Sequence, residues 1–180
     1  FNLPDDTAPY EECVFLAATE AQHEIKVLKE EIARQPSLDR MMAHEISYYR
    51  IPGVAANPEV LESFGGQTHF PLLLTADTSL VAFYHLRVNW IRKSVGSEPY
   101  LLLGDSLYHK LRRQGVVSSD VLTINWWDGK DQAFPVAGTI SEMPYREMSY
   151  RRDEVSIIVR PDAAEIATNF VLVPKEGKYR

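Results

Sequence analysis

The sequence is poor in the residues that build disulfides, metal sites and membrane spans. It contains a single cysteine, Cys13, so no disulfide can form within the chain. Its five histidines are scattered, and no Cys-x-x-Cys or His-x-x-x-His pair occurs, so the sequence predicts no metal site. There is no Gly-x-x-x-x-Gly-Lys loop, so we expect no bound nucleotide, and no motif points to another cofactor. The longest apolar run, Cys13–Ala18, is far shorter than the roughly 20 residues that span a bilayer.

An excess of positive charge is also missing. The chain carries 19 Lys and Arg against 25 Asp and Glu, a net charge of −6, which argues against a nucleic-acid-binding domain. With 45% hydrophobic and 24% charged residues, the 180 residues suffice for one globular domain or for two small lobes. The chain begins at Phe1 rather than Met, so we expect it to be part of a longer protein.

Short apolar runs alternate with amphipathic segments along the chain. Strand composition is found at residues 12–19, 69–75, 100–104, 155–159 and 170–173. The stretch 38–51 fits a helix or a strand, and its aromatic and β-branched end favours a strand. The irregular alternation predicts an α+β fold, with a mixed sheet and packed helices in one lobe and a hairpin in a smaller lobe.

The clearest local feature is a β-hairpin over residues 121–140. Asp128-Gly129 between two strand-like runs predicts a two-residue turn, whose twist matches that of the strands. The neighbouring Trp126 and Trp127 point to opposite faces of a strand, so at most one of them can lie in the core. The other is a candidate for stacking on Lys130 or for contact with a partner protein.

Residues 104–107, Gly-Asp-Ser-Leu, match the GDSL block of an esterase family. A serine nucleophile needs a base, which that family supplies from an Asp-x-x-His motif near the end of its domain. Here the block lies past mid-chain, the only histidine after it is His109 on the same predicted helix, and the family's Gly-x-Asn-Asp block is absent. The simpler interpretation is that Asp105 or Ser106 caps a helix, so the esterase ranks last among the functions considered.

The longer block from Thr75 to Ile140 resembles a different family. A strand, an acidic turn and a short helix with a central Phe are followed by Leu-Leu-Leu-Gly-Asp-Ser-Leu at 101–107, and then by a hairpin that returns as Phe-Pro-Val-Ala-Gly-Thr-Ile at 134–140. This order resembles the periplasmic core domain of MacB-type (FtsX-like) ABC transporter permeases. The matching positions are Phe83, Leu103, Gly104, Leu107, Leu111, Asp120, Val136 and Gly138.

The matching positions are all of the kind that shape a fold. Leu107 and Leu111 are four residues apart and lie on one face of a helix. Gly104 permits a sharp turn from strand to helix, and Gly138 inside an apolar strand predicts a bulge or a close backbone approach. The chain departs from the family pattern just before Asp120, where Ser119 replaces the usual glycine.

The resemblance implies a non-catalytic domain outside the cytoplasmic membrane, between the first and second transmembrane helices of a permease. ATP would be hydrolysed by a separate cytoplasmic ATPase subunit, and its motion would be passed to a periplasmic or cell-envelope protein or to an exported substrate. Both chain ends would then leave toward the membrane, and the polar segments 1–9 and 175–180 suit such tethers. A free-standing extracytoplasmic ligand- or protein-binding domain is the alternative. We expect two lobes, one from residues 1–75 with 150–180 and a smaller inserted one from 76–149.

Overall fold

A computed structural model of the chain describes residues 14–17, 22–75, 78–84, 86–126, 128–141 and 154–175. Its strands are β1 (Val14–Ala17), β2 (Leu38–Ala43), β3 (Glu45–Arg50), β4 (His69–Thr75), β5 (Val88–Trp90), β6 (Tyr100–Gly104), β7 (Val121–Asn125), β8 (Asp131–Ile140), β9 (Ser156–Val159) and β10 (Asn169–Pro174). Its helices are α1 (Gln22–Ala33), α2 (Pro52–Ala55), α3 (Pro58–Ser63), α4 (Ser79–Phe83), α5 (Asp105–Arg113) and α6 (Ala163–Ile166). No helix in the described ranges is both long and apolar enough to cross a membrane.

The strands form two sheets, which confirms the predicted α+β fold. The smaller sheet is antiparallel, with the order β1-β10-β2. The larger sheet has the order β5-β8-β6-β9-β4-β3-β7 and mixes parallel pairs, β4 with β9 and β6 with β8, with antiparallel ones. Because β7 also pairs with β8, six of its strands close into a barrel-like ring, and β5 extends from β8 outside that ring.

The central strands of the larger sheet are covered on both faces and are therefore mostly apolar. Every residue of β6 is buried, as expected for a strand buried on both faces. One face packs against α2, α3 and α5 in a cluster that includes Leu72, Leu101 and Leu103. The opposite face, which includes Leu73 and Leu102, is covered by α4 and by Met42 and Val171 of the smaller sheet.

Local sequence explains where the better-defined helices begin and end. The Asn57 side chain accepts hydrogen bonds from the backbone N–H groups of Glu59 and Val60, and Pro58 occupies the first position of α3. Helix α5 ends just before Gly115, whose φ of 70° suits a glycine after a helix C-terminus. The predicted cap of α5 was wrong, because Gly104 is the N-cap residue and supplies no side-chain cap.

The hairpin is present, but its turn is longer than the two residues predicted. The last paired residues are Asn125 and Asp131, which leaves a five-residue connection. Trp126, the first residue of this connection, is buried in the core. The Asp128 side chain then accepts a hydrogen bond from the Lys130 N–H at 2.9 Å, which closes the turn locally.

The larger sheet also crosses the predicted boundary between the lobes. Strand β9, from the segment assigned to the first lobe, pairs with β6, from the segment assigned to the second, through four residue pairs. It pairs with β4 on its other side. The division into two lobes stays a prediction.

Candidate functional site

The first and last described strands lie side by side. Strands β1 and β10 are antiparallel, with Val14 opposite Leu172 and Ala17 opposite Asn169. The chain therefore enters β1 and leaves β10 at the same end of the smaller sheet. Beyond β10, the Lys175 N–H donates to the Ser37 carbonyl at 2.9 Å, which extends the pairing with the start of β2. The predicted tether 1–9, and all of the predicted tether 175–180 except Lys175, lie outside the described residues.

The hairpin connection holds Trp126 in the interior. The residue is 6% exposed, and the Arg160 guanidinium lies 5.3 Å from its ring centroid, within the range of a cation–π contact. Arg160 also donates two hydrogen bonds to the Asp162 carboxylate, which holds the pKa of that carboxyl below its usual range. Trp127 lies outside the described residues. Partner contact by the tryptophan pair stays a prediction.

The three leucines among the other predicted positions meet in one apolar cluster. Leu103 from β6 and both Leu107 and Leu111 from α5 are buried together, in the same cluster as Trp126. Phe83 lies on the opposite side of the sheet, partly buried, with its ring 5.1 Å from that of Tyr84. Gly104 has φ −55° and ψ 138°, values that any residue adopts. The backbone conformation of Gly104 therefore does not explain why the family pattern has a glycine at this position.

Gly138 combines the two features predicted for it. The register between β6 and β8 shifts at this point, because Leu101 pairs with Val136 and the next residue, Leu102, pairs with Gly138. A Cβ atom on Gly138 would lie 2.8 Å from Val88 Cγ1 and 2.9 Å from the carbonyl oxygen of Asn89. Strand β5 therefore approaches β8 more closely than a side chain at this position would allow.

The corner that precedes β7 has an uncommon backbone held by three side chains. Ser119 and Asp120 have φ values of 51° and 55°, the left-handed region that favours glycine. The Tyr108 hydroxyl donates to Asp120 Oδ1 at 2.7 Å, and Arg92 donates to the Asp120 carbonyl at 3.1 Å. Burial and the bond to this carboxylate raise the pKa of Tyr108. Arg112 donates in turn to the Tyr108 hydroxyl at 3.3 Å.

The residues of the GDSL block do not assemble a nucleophile in the described structure. Ser106 is exposed on α5, and among the described residues no hydrogen bond joins its hydroxyl to a histidine. His109 is also exposed, and its ring lies 5.4 Å from that of Tyr108. With Arg112 and Arg113 it lines an open groove of about 560 Å³. The described residues also contain no group of three His, Cys, Asp or Glu side chains placed to hold a metal ion.

One histidine lies in the core. His44 connects β2 to β3, is 5% exposed, and has its ring 5.9 Å from that of Tyr84. Burial lowers its pKa from 6.5 to about 4, because the charged form would lose its hydration. The imidazole is therefore neutral at ordinary pH.

A basic edge is the main surface feature that the sequence analysis missed. We use this name for Arg87, Trp90, Ile91, Arg92 and Lys93, which flank or belong to β5. Residues 86–116 hold six Lys and Arg but two Asp and Glu, in a chain whose net charge is −6. The feature of the sequence that could have indicated this edge is the clustering of Lys and Arg around Trp90. The strand itself has three residues, too few to produce a readable pattern.

Comparison with known proteins identifies the fold. No family model matches the sequence, and no curated protein matches it either. The structure, however, matches the crystal structure of the periplasmic region of MacB from Actinobacillus actinomycetemcomitans, with a TM-score of 0.52 over 96% of this chain and 79% of that one. The fold is that of the MacB periplasmic region. The two chains share 8% identical residues, so the likeness concerns the fold.

This MacB-like fold confirms the resemblance inferred from the order of motifs at 75–140. The likeness extends well beyond that block, because it covers nearly the whole chain. It therefore reaches the smaller sheet formed by β1, β10 and β2.

Proposed function

We propose that this chain is the extracytoplasmic domain of an ABC transporter permease. In this role the domain catalyses no reaction. ATP is hydrolysed by a cytoplasmic ATPase subunit, and the resulting motion passes through the membrane helices of the parent protein to this domain. The domain then moves a cell-envelope protein or an exported substrate.

The observation that carries the proposal is the likeness of fold to the MacB periplasmic region over 96% of the chain. The pairing of β1 with β10 agrees with it, because an inserted domain has to leave toward the membrane at both ends. The barrel-like sheet also agrees, since a domain that transmits motion has to move as a rigid body. The predicted site residues that are described contribute packing, which is what a lever of this kind requires.

The test is the topology of the full-length parent protein. We expect its gene to encode an apolar span before Phe1 and another after Arg180, long enough to cross a bilayer. The natural thiol is first removed by Cys13→Ser. A single new thiol is then introduced by Ser97→Cys, at an exposed position in the loop before β6. A membrane-impermeant maleimide applied to intact cells should then label the variant as fully as it does after lysis.

Two results would contradict the proposal. Labelling that requires lysis would place the domain in the cytoplasm. Hydrophilic sequence on both sides of the domain would instead favour the free-standing binding domain. The Cys13→Ser parent that keeps its natural Ser97 controls for labelling of other groups.

A further inference from the structure

Strand β5 forms an open edge of the larger sheet. It pairs with β8 through Val88, Asn89 and Trp90, and no described strand pairs with its other side. Just beyond the strand, the Ile91 N–H donates to the Ala137 carbonyl in β8 at 2.9 Å, and the Arg92 N–H donates to the same carbonyl at 3.1 Å, so the regular pairing ends there. Because N–H groups alternate in direction along a strand, that of Trp90 points away from β8. The outer side of β5 therefore offers backbone groups to a further strand.

Two apolar side chains of this edge are exposed, and contacts hold Trp90 and Arg92 in position. Trp90 is 51% exposed and Ile91 is 36% exposed, and the Trp90 ring makes an edge contact with Tyr100 at 6.3 Å. Arg92 is fixed at the other end of the edge by its bonds to the carbonyl groups of Ser119 and Asp120. A side chain that is already ordered loses little entropy when a partner binds.

The charge of the edge indicates the chemistry of its partner. Arg87 and Lys93 are exposed on either side of β5, and with Arg92 they supply three cations within seven residues of the sequence. The segment 87–93 contains no Asp or Glu. An acidic partner would be attracted by these cations, while a basic one would be repelled.

A second exposed apolar patch does not combine an open strand edge with charges of one sign. Ile46 and Tyr48 on β3 are 43% and 69% exposed. Strand β3 pairs with β4 on one side and, through Arg50 alone, with β7 on the other, but its flanking charges Glu45 and Arg50 have opposite signs. This patch therefore gives no preference for a partner of either charge and serves as a comparison.

We propose that the basic edge binds an acidic, extended segment of a partner protein, which pairs with β5 as an added strand. The backbone of β5 supplies the hydrogen bonds, Trp90 and Ile91 the apolar contact, and the three cations the preference for acidic sequence. An anionic membrane would meet the same cations and the same tryptophan. It could not use the unpaired backbone of the edge, so the observations favour a polypeptide.

The proposal is tested with the whole 180-residue chain, labelled with ¹⁵N, and a blocked peptide of alternating Glu and Val about eight residues long. Titration should shift the amide signals of 88–93 selectively. Lys93→Glu and Trp90→Ser should each weaken binding by about fivefold. The matched variants Lys26→Glu on α1 and Tyr48→Ser on β3 should bind as the natural chain does.

Three controls distinguish the proposal from its competitors. The same peptide with alternate backbone nitrogens methylated cannot pair as a strand, and should bind at least about tenfold more weakly. A peptide with Lys in place of Glu should cause no shifts. Vesicles of phosphatidylglycerol should not sediment the chain.

The proposal is overturned if the methylated peptide binds equally well, if Lys26→Glu weakens binding as much as Lys93→Glu, or if the shifts lie elsewhere or fail to appear. Sedimentation with vesicles that is lost in Trp90→Ser would assign the edge to lipid instead. An acidic extended segment would be the kind of partner that the proposed permease domain contacts, and this biological role rests on the proposed function. Because the titration needs no transporter, its failure would leave the topology result unaffected, and the reverse also holds.

Discussion

Replacing Gly138 by alanine tests whether the close approach of β5 to β8 fixes this glycine. The added Cβ atom would lie 2.8 Å from Val88 Cγ1 and 2.9 Å from the Asn89 carbonyl oxygen. The Val88 side chain can rotate. The Asn89 oxygen is part of the backbone of β5, so it moves only if the strand itself moves.

The expected loss of stability follows from two opposing effects. Overpacking by a methyl group costs about 1–3 kcal/mol. Alanine lowers the conformational entropy of the unfolded chain, which returns about 0.5–1 kcal/mol. We therefore expect Gly138→Ala to lower the free energy of unfolding by about 1–2 kcal/mol, measured by urea unfolding. For a domain of this size that corresponds to roughly 2–8 °C in Tm.

Gly53→Ala is the matched control. Its added Cβ atom would lie 3.0 Å from Val116 Cγ1, a side-chain atom, and its three nearest neighbours within 4 Å include no backbone atom. Gly53 lies in α2, where alanine is the better helix former. A Gly138→Ala cost no larger than that of Gly53→Ala would refute the reasoning. So would an unchanged Gly138→Ala cost in a Val88→Ala background, because removing Cγ1 should relieve part of the clash.

Three further predictions concern buried polar groups and backbone strain. The pKa of His44 is about 4 when folded and 6.5 when unfolded, so the unfolded chain takes up the proton first as the pH falls. The free energy of unfolding should therefore drop by roughly 2–3 kcal/mol between about pH 7.5 and 4.5, and His44→Phe should remove that part of the drop in urea titrations at both pH values. Ser119→Gly should raise the free energy of unfolding by about 0.5–1 kcal/mol, because φ is 51° at this position. The Tyr49 hydroxyl lies 2.5 Å from the Ser156 hydroxyl in the core, so Tyr49→Phe should cost about 1–3 kcal/mol in the same assay by leaving the serine without this partner.

Each of these has a control in the same chain. If the free energy of unfolding depends on pH equally in His44→Phe and in the natural chain, the dependence arises from other groups. Ser118→Gly, at a neighbouring residue with no positive φ, should destabilise the chain or leave it unchanged, in contrast to Ser119→Gly. Adding Ser156→Ala to Tyr49→Phe should recover most of the lost stability. If the double variant is instead the sum of the two single variants, the hydroxyl groups are not coupled.

Strong local patterns made much of the fold predictable. The apolar runs at 69–75 and 100–104 became the central strands β4 and β6, and Leu107 and Leu111 face the core at helical spacing. The strand interpretation of 38–51 was also correct, although His44 divides it between two sheets. The role of Gly138 was predictable because a glycine inside an apolar strand is typical of a bulge or of a close backbone approach, and both occur here.

The missed features depend on neighbours that are distant in sequence. In the hairpin connection, Trp126 packs beneath Arg160, which is contributed by the segment after β9. The buried state of His44 depends on Tyr84 from another element. The basic edge requires β5 to lie at the end of a sheet, and three residues of sequence contain no information about that position.

By itself, the sequence determined the α+β class, the main strands and helices, and an order of motifs that matches a MacB-like domain. These follow from hydrophobic periodicity and turn residues, which act over a few neighbours. Only the tertiary structure decided that six strands close into a ring, that the first and last described strands, β1 and β10, pair with each other, and that β5 is left with an open side among the described strands. Strand pairing joins residues far apart in the chain, and its partners are selected by packing of the whole core.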